Sequence, residues 1–482
     1  MSTLLIANGT LVTDTDTCAA DILIRDGKIA AVGPGLQSPD TEVVDATGKL
    51  VLPGGVDPHT HFDLPMFGTV SSDDHYTGTK AAAFGGTTTV MDFVPLPPHL
   101  PPHLRSEWGG IKGGVDAWHR KAEKAAIDYS FHMNLTKLDD AIAAEIPSLC
   151  EMGITTLKTF TAYNNRLRLS DGEIFRALRI ARDNGMLVML HAENGDVIEM
   201  LTAEALAAGQ RTPEWHAKTR PAWGAVEATL RACSLAAQAD APLYVVHMNA
   251  AGEADMLHYA REHGVRVMGE TCPQYLFFTE EDLRRPDGAK WVCSPPVRTA
   301  ADNARLWERL ADGTIQTIGT DHCPFFFDGT KPIVYEGKKI AIPGKELGKG
   351  NFTKIPNGLP GVGDRLPVLW TAAVRSGKLT AEQFVALTST NPAKIFGLYP
   401  RKGALLPGSD ADLVVWDPEK KVKYGVALSH QRTDYNLYEG WELIGYPEKV
   451  FLRGRLIVDG EKWLGHSGMG QFLPRRPNAP VL

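Results

Sequence analysis

The chain has 482 residues, of which 43% are hydrophobic and 22% charged, and its formal net charge is −7 at pH 7. This composition excludes a disordered chain and allows one large domain with a smaller one beside it. A net negative charge without blocks of like charge disfavours binding to nucleic acid or to an anionic membrane, and no stretch approaches the roughly 18 consecutive apolar residues of a membrane span.

The cysteines and the first residues of the chain indicate the cellular compartment in which the protein is expected. The six cysteines are scattered and form no C-x-x-C pair, which is typical of reduced thiols. Residues 1–17 contain no basic residue, and their apolar run is too short for the core of a secretory signal. We therefore expect a cytoplasmic protein.

The first part of the chain, residues 1–53, is predicted to be rich in β-structure. Residues 21–32 contain two apolar runs on either side of Asp26-Gly27, a dipeptide typical of a tight hairpin turn. The pattern changes at Gly54, where short apolar runs begin to alternate with longer helical stretches.

The central part, residues 54–399, contains helical patterns such as residues 171–184 and 225–239 between candidate strands. The candidate strands end near His61, Phe93, Leu135, Phe160, His191, His247, Thr271 and Asp321. Such alternation implies a parallel sheet, and eight units predict a closed (β/α)₈ barrel of the TIM type. A doubly wound open sheet is the alternative, but the glycine-rich phosphate loops of its nucleotide-binding versions are missing from the sequence.

The last part of the chain returns to β-structure, with a candidate strand over residues 411–416 and a candidate hairpin over residues 450–458. Because neither end of the chain is large enough for a comfortable core of its own, we expect residues 1–53 and 400–465 to form one small β-sandwich domain. Residues 466–482 are predicted to be a loose tail or an arm that packs on a neighbouring subunit.

Six polar side chains fall near the ends of the predicted barrel strands. They are His59 and His61 on the first strand, Lys158 on the fourth, His191 on the fifth, His247 on the sixth and Asp321 on the eighth. The carboxyl ends of barrel strands meet at one mouth, so these residues are expected to converge there. A lone histidine is more often structural, but the whole set favours a metal site.

The chemistry of this set predicts a binuclear centre. Four neutral imidazoles and a carboxylate suit Zn²⁺, and they would also accept Mn²⁺ or Co²⁺. An ammonium is no ligand, but burial lowers the pKa of a lysine, and the free amine of Lys158 could capture CO₂. The resulting carbamate, N6-carboxylysine, could bridge two ions that hold a hydroxide between them as the nucleophile.

Seven short segments occur in a characteristic order along the chain. They are PGGVDPHTH at 53–61, GGTTT at 85–89, HAENGD at 191–196, ETCPQY at 270–275, SPP at 294–296, GTDHCP at 319–324 and GSDADL at 408–413. In this order they resemble the segments of the dihydropyrimidinase/hydantoinase group of the amidohydrolase superfamily, and the resemblance covers nearly the whole chain.

The resemblance implies a role for each matching residue. The more buried ion would be held by His59, His61 and Asp321, the more exposed one by His191 and His247, and both by carboxylated Lys158. Asp321 would also carry a proton from the attacking water to the leaving amide nitrogen, and Tyr163 would donate its hydroxyl to the developing oxyanion. Ser294 and Asn357 would bind the cyclic amide edge of the substrate, mainly through backbone groups.

Neighbouring residues receive supporting interpretations. Leu64, Met66 and Phe160 either form an apolar wall against the ring substituent or simply pack in the core. Glu193 and Asp196 are interpreted as loop-ordering groups. Residues 328–353, rich in Lys and Gly, are interpreted as a solvated surface loop rather than a mobile flap.

The implied activity is the opening of cyclic amides, either 5,6-dihydropyrimidines such as dihydrouracil or 5-substituted hydantoins, to N-carbamoyl amino acids by a homotetramer. Dihydroorotases usually carry an arginine two residues after the His-x-His pair, where this chain has Asp63, which argues against a ring acid. An allantoinase-like cyclic amidohydrolase stays as an alternative, and so does a non-catalytic scaffold of the same fold, although all six ligand positions are filled.

Overall fold

The computed structural model describes residues 3–39, 41–66, 68–96 and 110–477. Among these residues, eight parallel strands form one sheet: Gly55–Thr60, Thr87–Val94, Asp128–Asn134, Thr156–Phe160, Leu187–His191, Leu243–Val245, Val267–Thr271 and Thr317–Ile318. They are called the first to the eighth barrel strand below. Their order in space follows their order in the chain, which is typical of repeated strand–helix units.

The sheet closes where the chain leaves the eighth strand. The backbone N–H of His61 donates to the carbonyl oxygen of His322 at 2.8 Å, which joins the end of the first strand to the segment after the eighth. The buried Arg365 guanidinium spans the same seam, donating to the carbonyl oxygens of Val56 and Ile318 at 2.9 Å each. The predicted closed barrel is therefore confirmed, and the open-sheet alternative is wrong.

Helices connect the strands and cover the barrel. The α-helices are His75–Phe84, Gly110–Ala122, Asp140–Glu145, Ser148–Glu151, Asp171–Asp183, Gly195–Ala207, Glu214–Lys218, Ala222–Ala239, Ala251–Glu262, Pro273–Phe277, Ala300–Ala311, Arg365–Leu369, Ala381–Val385, Asn391–Ile395 and Val426–Ser429. Shorter helical turns of other types span Asp282–Arg284, Gly288–Trp291, Lys345–Gly348, Phe352–Lys354, Trp370–Val374 and Ala386–Thr390.

The helix Asp171–Asp183 shows why such segments form. Ser170 caps its N-terminus by accepting from the backbone N–H of Glu173, whose carboxylate accepts from the N–H of Ser170 in return. Its buried positions, Ile174, Ala177, Leu178 and Ala181, recur at helical spacing and face the barrel. This helix ends one residue before the predicted end at 184, because Asn184 is its C-cap.

Both chain ends build a second, separate sheet. Its strands are Thr3–Val12, Thr17–Arg25, Lys28–Gly33, Glu42–Asp45, Leu50–Pro53, Leu413–Lys423, Glu442–Leu452, Arg455–Asp459 and Lys462–Trp463. Leu50–Pro53 pairs antiparallel with Leu413–Lys423 and so joins the two ends. The predicted hairpin turn at Asp26-Gly27 is present, with φ of 51° and 77°, as a type I′ turn requires.

The segment that follows the second sheet lies against the barrel of its own chain. The backbone N–H of Leu473 donates to the carbonyl oxygen of Tyr129 at 2.7 Å, and that of Arg475 donates to Gly153 at 2.9 Å. Of the tail predicted over 466–482, residues 478–482 lie outside the described residues. A search of the described helices found none with the length and apolarity needed to cross a membrane.

Residues 328–353 divide into an exposed tip and a buried base. The tip is the short hairpin Ile333–Tyr335 and Lys338–Ile340, which is solvated as expected. At the base, the Lys345 side chain is only 2% exposed and its Nζ donates to the carbonyl oxygens of Val292 at 2.9 Å and Pro356 at 3.1 Å. The interpretation as a surface loop therefore describes the tip alone.

Candidate metal centre and substrate cavity

A cavity of about 400 Å³ opens at the carboxyl ends of the barrel strands. All nine residues singled out in the sequence line it: His59, His61, Lys158, Tyr163, His191, His247, Ser294, Asp321 and Asn357. They come from seven separate parts of the chain and are brought together because parallel barrel strands end at one rim.

The first cluster consists of His59, His61 and Asp321. The Oδ1 atom of Asp321 lies 3.2 Å from Nε2 of His59 and 3.0 Å from Nε2 of His61. Although burial opposes ionisation, the two histidines and Lys158 lower the pKa of Asp321. Burial keeps the pKa of His59 well below its usual value, so this imidazole is neutral. The group can hold a metal ion.

Glu270 fixes the proton on His59. Its Oε1 lies 2.6 Å from Nδ1 of His59 and also accepts from the backbone N–H of His247, while its Oε2 accepts from the Tyr244 hydroxyl. Burial raises the pKa of Glu270 to about 7, and in its ionised form Glu270 accepts from Nδ1 of His59, which leaves a lone pair on Nε2. That lone pair faces the carboxylate of Asp321. Because both groups are acceptors with no proton between them, a cation placed there could bind to both.

The second cluster consists of His191 and His247, and a carboxylate binds the outer nitrogen of His191. Nδ1 of His191 and Nε2 of His247 face each other at 3.0 Å. The carboxylate of Glu193 lies 2.7 Å from the outer nitrogen of His191, and Arg220 donates to the same oxygen at 3.1 Å. Although burial opposes ionisation, Arg220 and His191 lower the pKa of Glu193 to about 2, so it holds the His191 proton on Nε2 and leaves Nδ1 unprotonated.

The two clusters are neighbours. The rings of His59 and His247 are 5.4 Å apart, and burial lowers the pKa of His247 as it does that of His59. The buried Nδ1 of His247 has no hydrogen-bond partner among the described residues. Neutral imidazoles, an ionised carboxylate and inward lone pairs together fit divalent cations.

Lys158 lies on the fourth strand and lines the same cavity. Its side chain is 2% exposed, and its Nζ lies 5.1 Å and 5.3 Å from the ring centres of Phe93 and Phe160. Burial lowers its pKa to about 8, so that an appreciable fraction is free amine near neutral pH.

Next to the ligands, the cavity carries the polar groups expected to meet a substrate, and the rings of Tyr163 and His191 are 5.1 Å apart. Burial raises the pKa of Tyr163, so its hydroxyl keeps its proton and can donate it. Asn357 Nδ2 donates to Ser294 Oγ at 3.0 Å, and the backbone N–H of Gly358 donates to the carbonyl of Val292, so the two loops are joined. Leu64, Met66 and Phe160 also line this cavity.

Three residues of the cavity wall have a left-handed backbone conformation. Tyr163, His247 and Asp321 adopt left-handed φ values of 66°, 39° and 52°. Such conformations are uncommon for residues other than glycine and persist where the surrounding structure holds them. Each of the three places its side chain on the cavity wall.

The sequence does not predict that two carboxylates, Glu193 and Glu270, bind the ligand histidines. Glu193 was interpreted as ordering its loop, and Glu270 was not singled out. A charged residue inside the apolar run Val267–Thr271 is the same signal that identified Lys158, so Glu270 could have been found by it. Asp196, in the first turn of the helix Gly195–Ala207, orders the loop after the fourth strand instead, since it accepts from Asn164 at 2.9 Å.

We expect Glu193→Gln to weaken metal binding at the His191 and His247 position by about 10–100-fold, because a neutral amide no longer fixes the ring proton. Competition with a chromogenic chelator measures this. Asp196→Asn, three residues further on in the first turn of the next helix and bonded to Asn164 and Arg168, is the control and should leave metal affinity unchanged. Equal affinity in all three proteins would contradict this role of Glu193.

A closed barrel that presents imidazoles and a carboxylate from its strand ends to one cavity is an architecture of metal-dependent hydrolases. The profile of the Amidohydrolase family matches residues 50–457, and the chain belongs to this family.

The relatives support the resemblance noted in the sequence. The chain is 45% identical over 477 residues to a D-hydantoinase of Geobacillus stearothermophilus, covering 98% of this chain and 96% of the relative. It is 42% identical over 478 residues to a D-hydantoinase of Streptomyces coelicolor, covering 98% and 97%. The crystal structure of dihydropyrimidinase from Brevibacillus agri superposes with a TM-score of 0.93 at 45% identity, covering 99% of this chain and 100% of that one. The predicted membership of the hydantoinase group is confirmed.

Proposed function

We propose that this protein hydrolyses cyclic amides, opening 5,6-dihydropyrimidines such as dihydrouracil, or 5-substituted hydantoins, to N-carbamoyl amino acids. The observation that carries the proposal is the convergence of four histidines and an aspartate at one end of the barrel, beside a buried lysine and a tyrosine hydroxyl. Relatives named D-hydantoinase and dihydropyrimidinase that match nearly the whole chain support it.

Two divalent ions are part of this proposal, Zn²⁺ first, with Mn²⁺ or Co²⁺ as alternatives. His59, His61 and Asp321 would hold one ion, His191 and His247 the other, and a CO₂-derived carbamate on Lys158 would bridge them. When bound, the ions supply Lewis acidity for the ring carbonyl and bring the pKa of the attacking water to about 7. The pKa of about 8 for Lys158 supports carbamate formation, which needs the free amine.

The chain's own residues then perform the proton transfers. The ionised Asp321 accepts the proton of the attacking water at a carboxylate oxygen and returns it to the leaving amide nitrogen, which completes the opening of the C–N bond. Tyr163 donates its hydroxyl hydrogen to the carbonyl oxygen as that oxygen becomes negative. Ser294 and Asn357 hold the amide edge of the ring so that its carbonyl faces these groups.

We expect Tyr163→Phe to lower kcat by about 10²–10³-fold, because one preorganised donor to the oxyanion is lost. Metal content should not change, since the phenol oxygen is no ligand in this proposal. Steady-state kinetics on dihydrouracil measures the effect. Ser294→Ala is the companion variant, and because it keeps the backbone groups expected to bind the substrate, it should change KM and kcat only a little. A Tyr163→Phe enzyme with normal kcat would contradict the oxyanion role.

The function is tested with four substrates after metal per chain has been measured. Dihydrouracil and 5-phenylhydantoin should be opened, and allantoin and dihydroorotate should be poor substrates. Preference for either of the last two would overturn the proposed substrate class. A purified protein with neither metal nor hydrolase activity would favour a non-catalytic scaffold.

The setting of the enzyme completes the proposal. We propose a cytoplasmic homotetramer, in which the barrel of residues 54–399 adjoins the domain formed by residues 1–53 and 400–465. All six cysteines are free thiols, which supports a reducing compartment. Light scattering of the purified protein tests the assembly, and a monomer or dimer would contradict it.

A further inference from the structure

Arg166 is a cation on the wall of the catalytic cavity. It follows Tyr163 in a tight turn, where its backbone N–H donates to the carbonyl oxygen of Tyr163 at 3.1 Å. Within the part of the chain that the structure describes, the Arg166 guanidinium has neither an ion pair nor a hydrogen bond. Arg168, two residues further on, differs because its guanidinium binds Asp196 and Asn164.

The cavity that Arg166 lines is also bordered by apolar side chains. They are Leu64, Met66, Phe160 and Leu167. A guanidinium gains nothing from a wholly apolar ligand and loses hydration when one covers it. Its natural partner is a carboxylate, which it can bind through two parallel N–H···O hydrogen bonds.

The carboxylates near Arg166 among the described residues already have other partners. Asp139 and Glu145 border a second cavity that Arg166 also touches. The Asp139 carboxylate lies 2.5 Å from Nζ of Lys137, and Glu145 accepts from the backbone N–H of Ile111 at 2.8 Å. Within residues 3–39, 41–66, 68–96 and 110–477, no carboxylate therefore pairs with Arg166, and its charge can bind a ligand in the catalytic cavity.

We propose that Arg166 selects substrates whose ring substituent ends in a carboxylate, so that carboxyalkyl hydantoins form a preferred class. This inference rests on the proposed function. The apolar wall receives the methylene groups of the substituent, and the guanidinium at the edge of the wall binds its terminal anion. Asp63 argues against substrates with a carboxylate directly on the ring. Because Asp63 does not line the cavity, it does not oppose a carboxylate at the end of a longer substituent.

The test compares two hydantoins of nearly equal shape, 5-(2-carboxyethyl)hydantoin and its neutral analogue 5-(2-carbamoylethyl)hydantoin, with dihydrouracil as a reference. In the wild-type enzyme kcat/KM should favour the acid by roughly tenfold at low salt, as expected of a charge-assisted pair at a partly solvated rim. Arg166→Gln should abolish this preference, mainly through KM, while the neutral analogue and dihydrouracil keep their rates. Arg166→Lys should retain part of it, and added salt should reduce it.

Arg168→Gln is the matched control, since it removes a charge from the same turn outside the catalytic cavity, and it should keep the preference for the acid. An equal loss on both hydantoins in Arg166→Gln would overturn the inference, because the side chain would then act on the shared ring. A wild-type enzyme that opens dihydrouracil but prefers the neutral hydantoin would overturn the inference alone. A wild-type enzyme that opens none of the three rings would overturn both the proposed function and this inference.

Discussion

Replacement of Lys158 by alanine is expected to remove bound metal and hydrolytic activity together. In the proposed centre, carboxylated Lys158 would help to hold both ions, so its loss would leave only the histidines and Asp321 to hold them. We expect metal to fall well below two ions per chain and kcat to fall by at least about 10³-fold, since activation of water by two ions is lost. Elemental analysis of the purified variant, followed by steady-state kinetics, measures both.

Two further measurements make this prediction specific. Acetate or propionate should partly restore activity to Lys158→Ala, because a small carboxylate fits the space left by the side chain. Lys345→Met is the matched control, since it also removes a buried lysine but one that does not line the cavity, and it should keep its metal. Full metal occupancy in Lys158→Ala would refute the bridge.

Asp321→Asn is expected to have an effect of similar size for a different reason. The amide keeps the shape of the side chain but cannot accept the proton of the attacking water, which alone lowers the rate by about 10²–10⁴-fold. Weaker binding of the ion next to His59 and His61 adds to the loss. Kinetics on dihydrouracil, with metal supplied in excess, separates the two contributions.

The control for Asp321→Asn is Asp63→Asn, which changes a carboxylate near the same rim that lies 3.2 Å from Nζ of Lys121. That variant should retain most of the activity on dihydrouracil. An Asp321→Asn enzyme with a near-normal rate would rule out the proposed proton transfer.

The barrel and the convergence of the ligands could be predicted because the relevant signals are local. Each strand is a short apolar run, and a histidine, lysine or aspartate at its end must lie at the rim once the sheet is parallel. The start of one helix was misplaced for an equally local reason. The helix Ala222–Ala239 begins three residues before the predicted 225, because its first turn is exposed, with Trp223 at 81%, and adds nothing to the apolar pattern.

The contacts that set the protonation of the ligands could not be predicted, because they join distant parts of the chain. Glu270 meets His59 across 211 residues. Lys345 was hidden in a segment whose lysines and glycines indicate solvation, and its partners are backbone oxygens of Val292 and Pro356, which no side-chain pattern reveals. A strand-end pattern identifies which residues meet, but not which nitrogen of a histidine carries the proton.

The contacts of Lys345 separate the hairpin at residues 333–340 mechanically from the loops beneath it. The base is anchored to the backbone on either side of the substrate cavity, while Val334 at the tip is 69% exposed. A dye, a tether to a solid support or an inserted peptide attached at that tip would therefore leave Ser294 and Asn357 where they are. We therefore expect an enzyme immobilised through this tip to keep its activity.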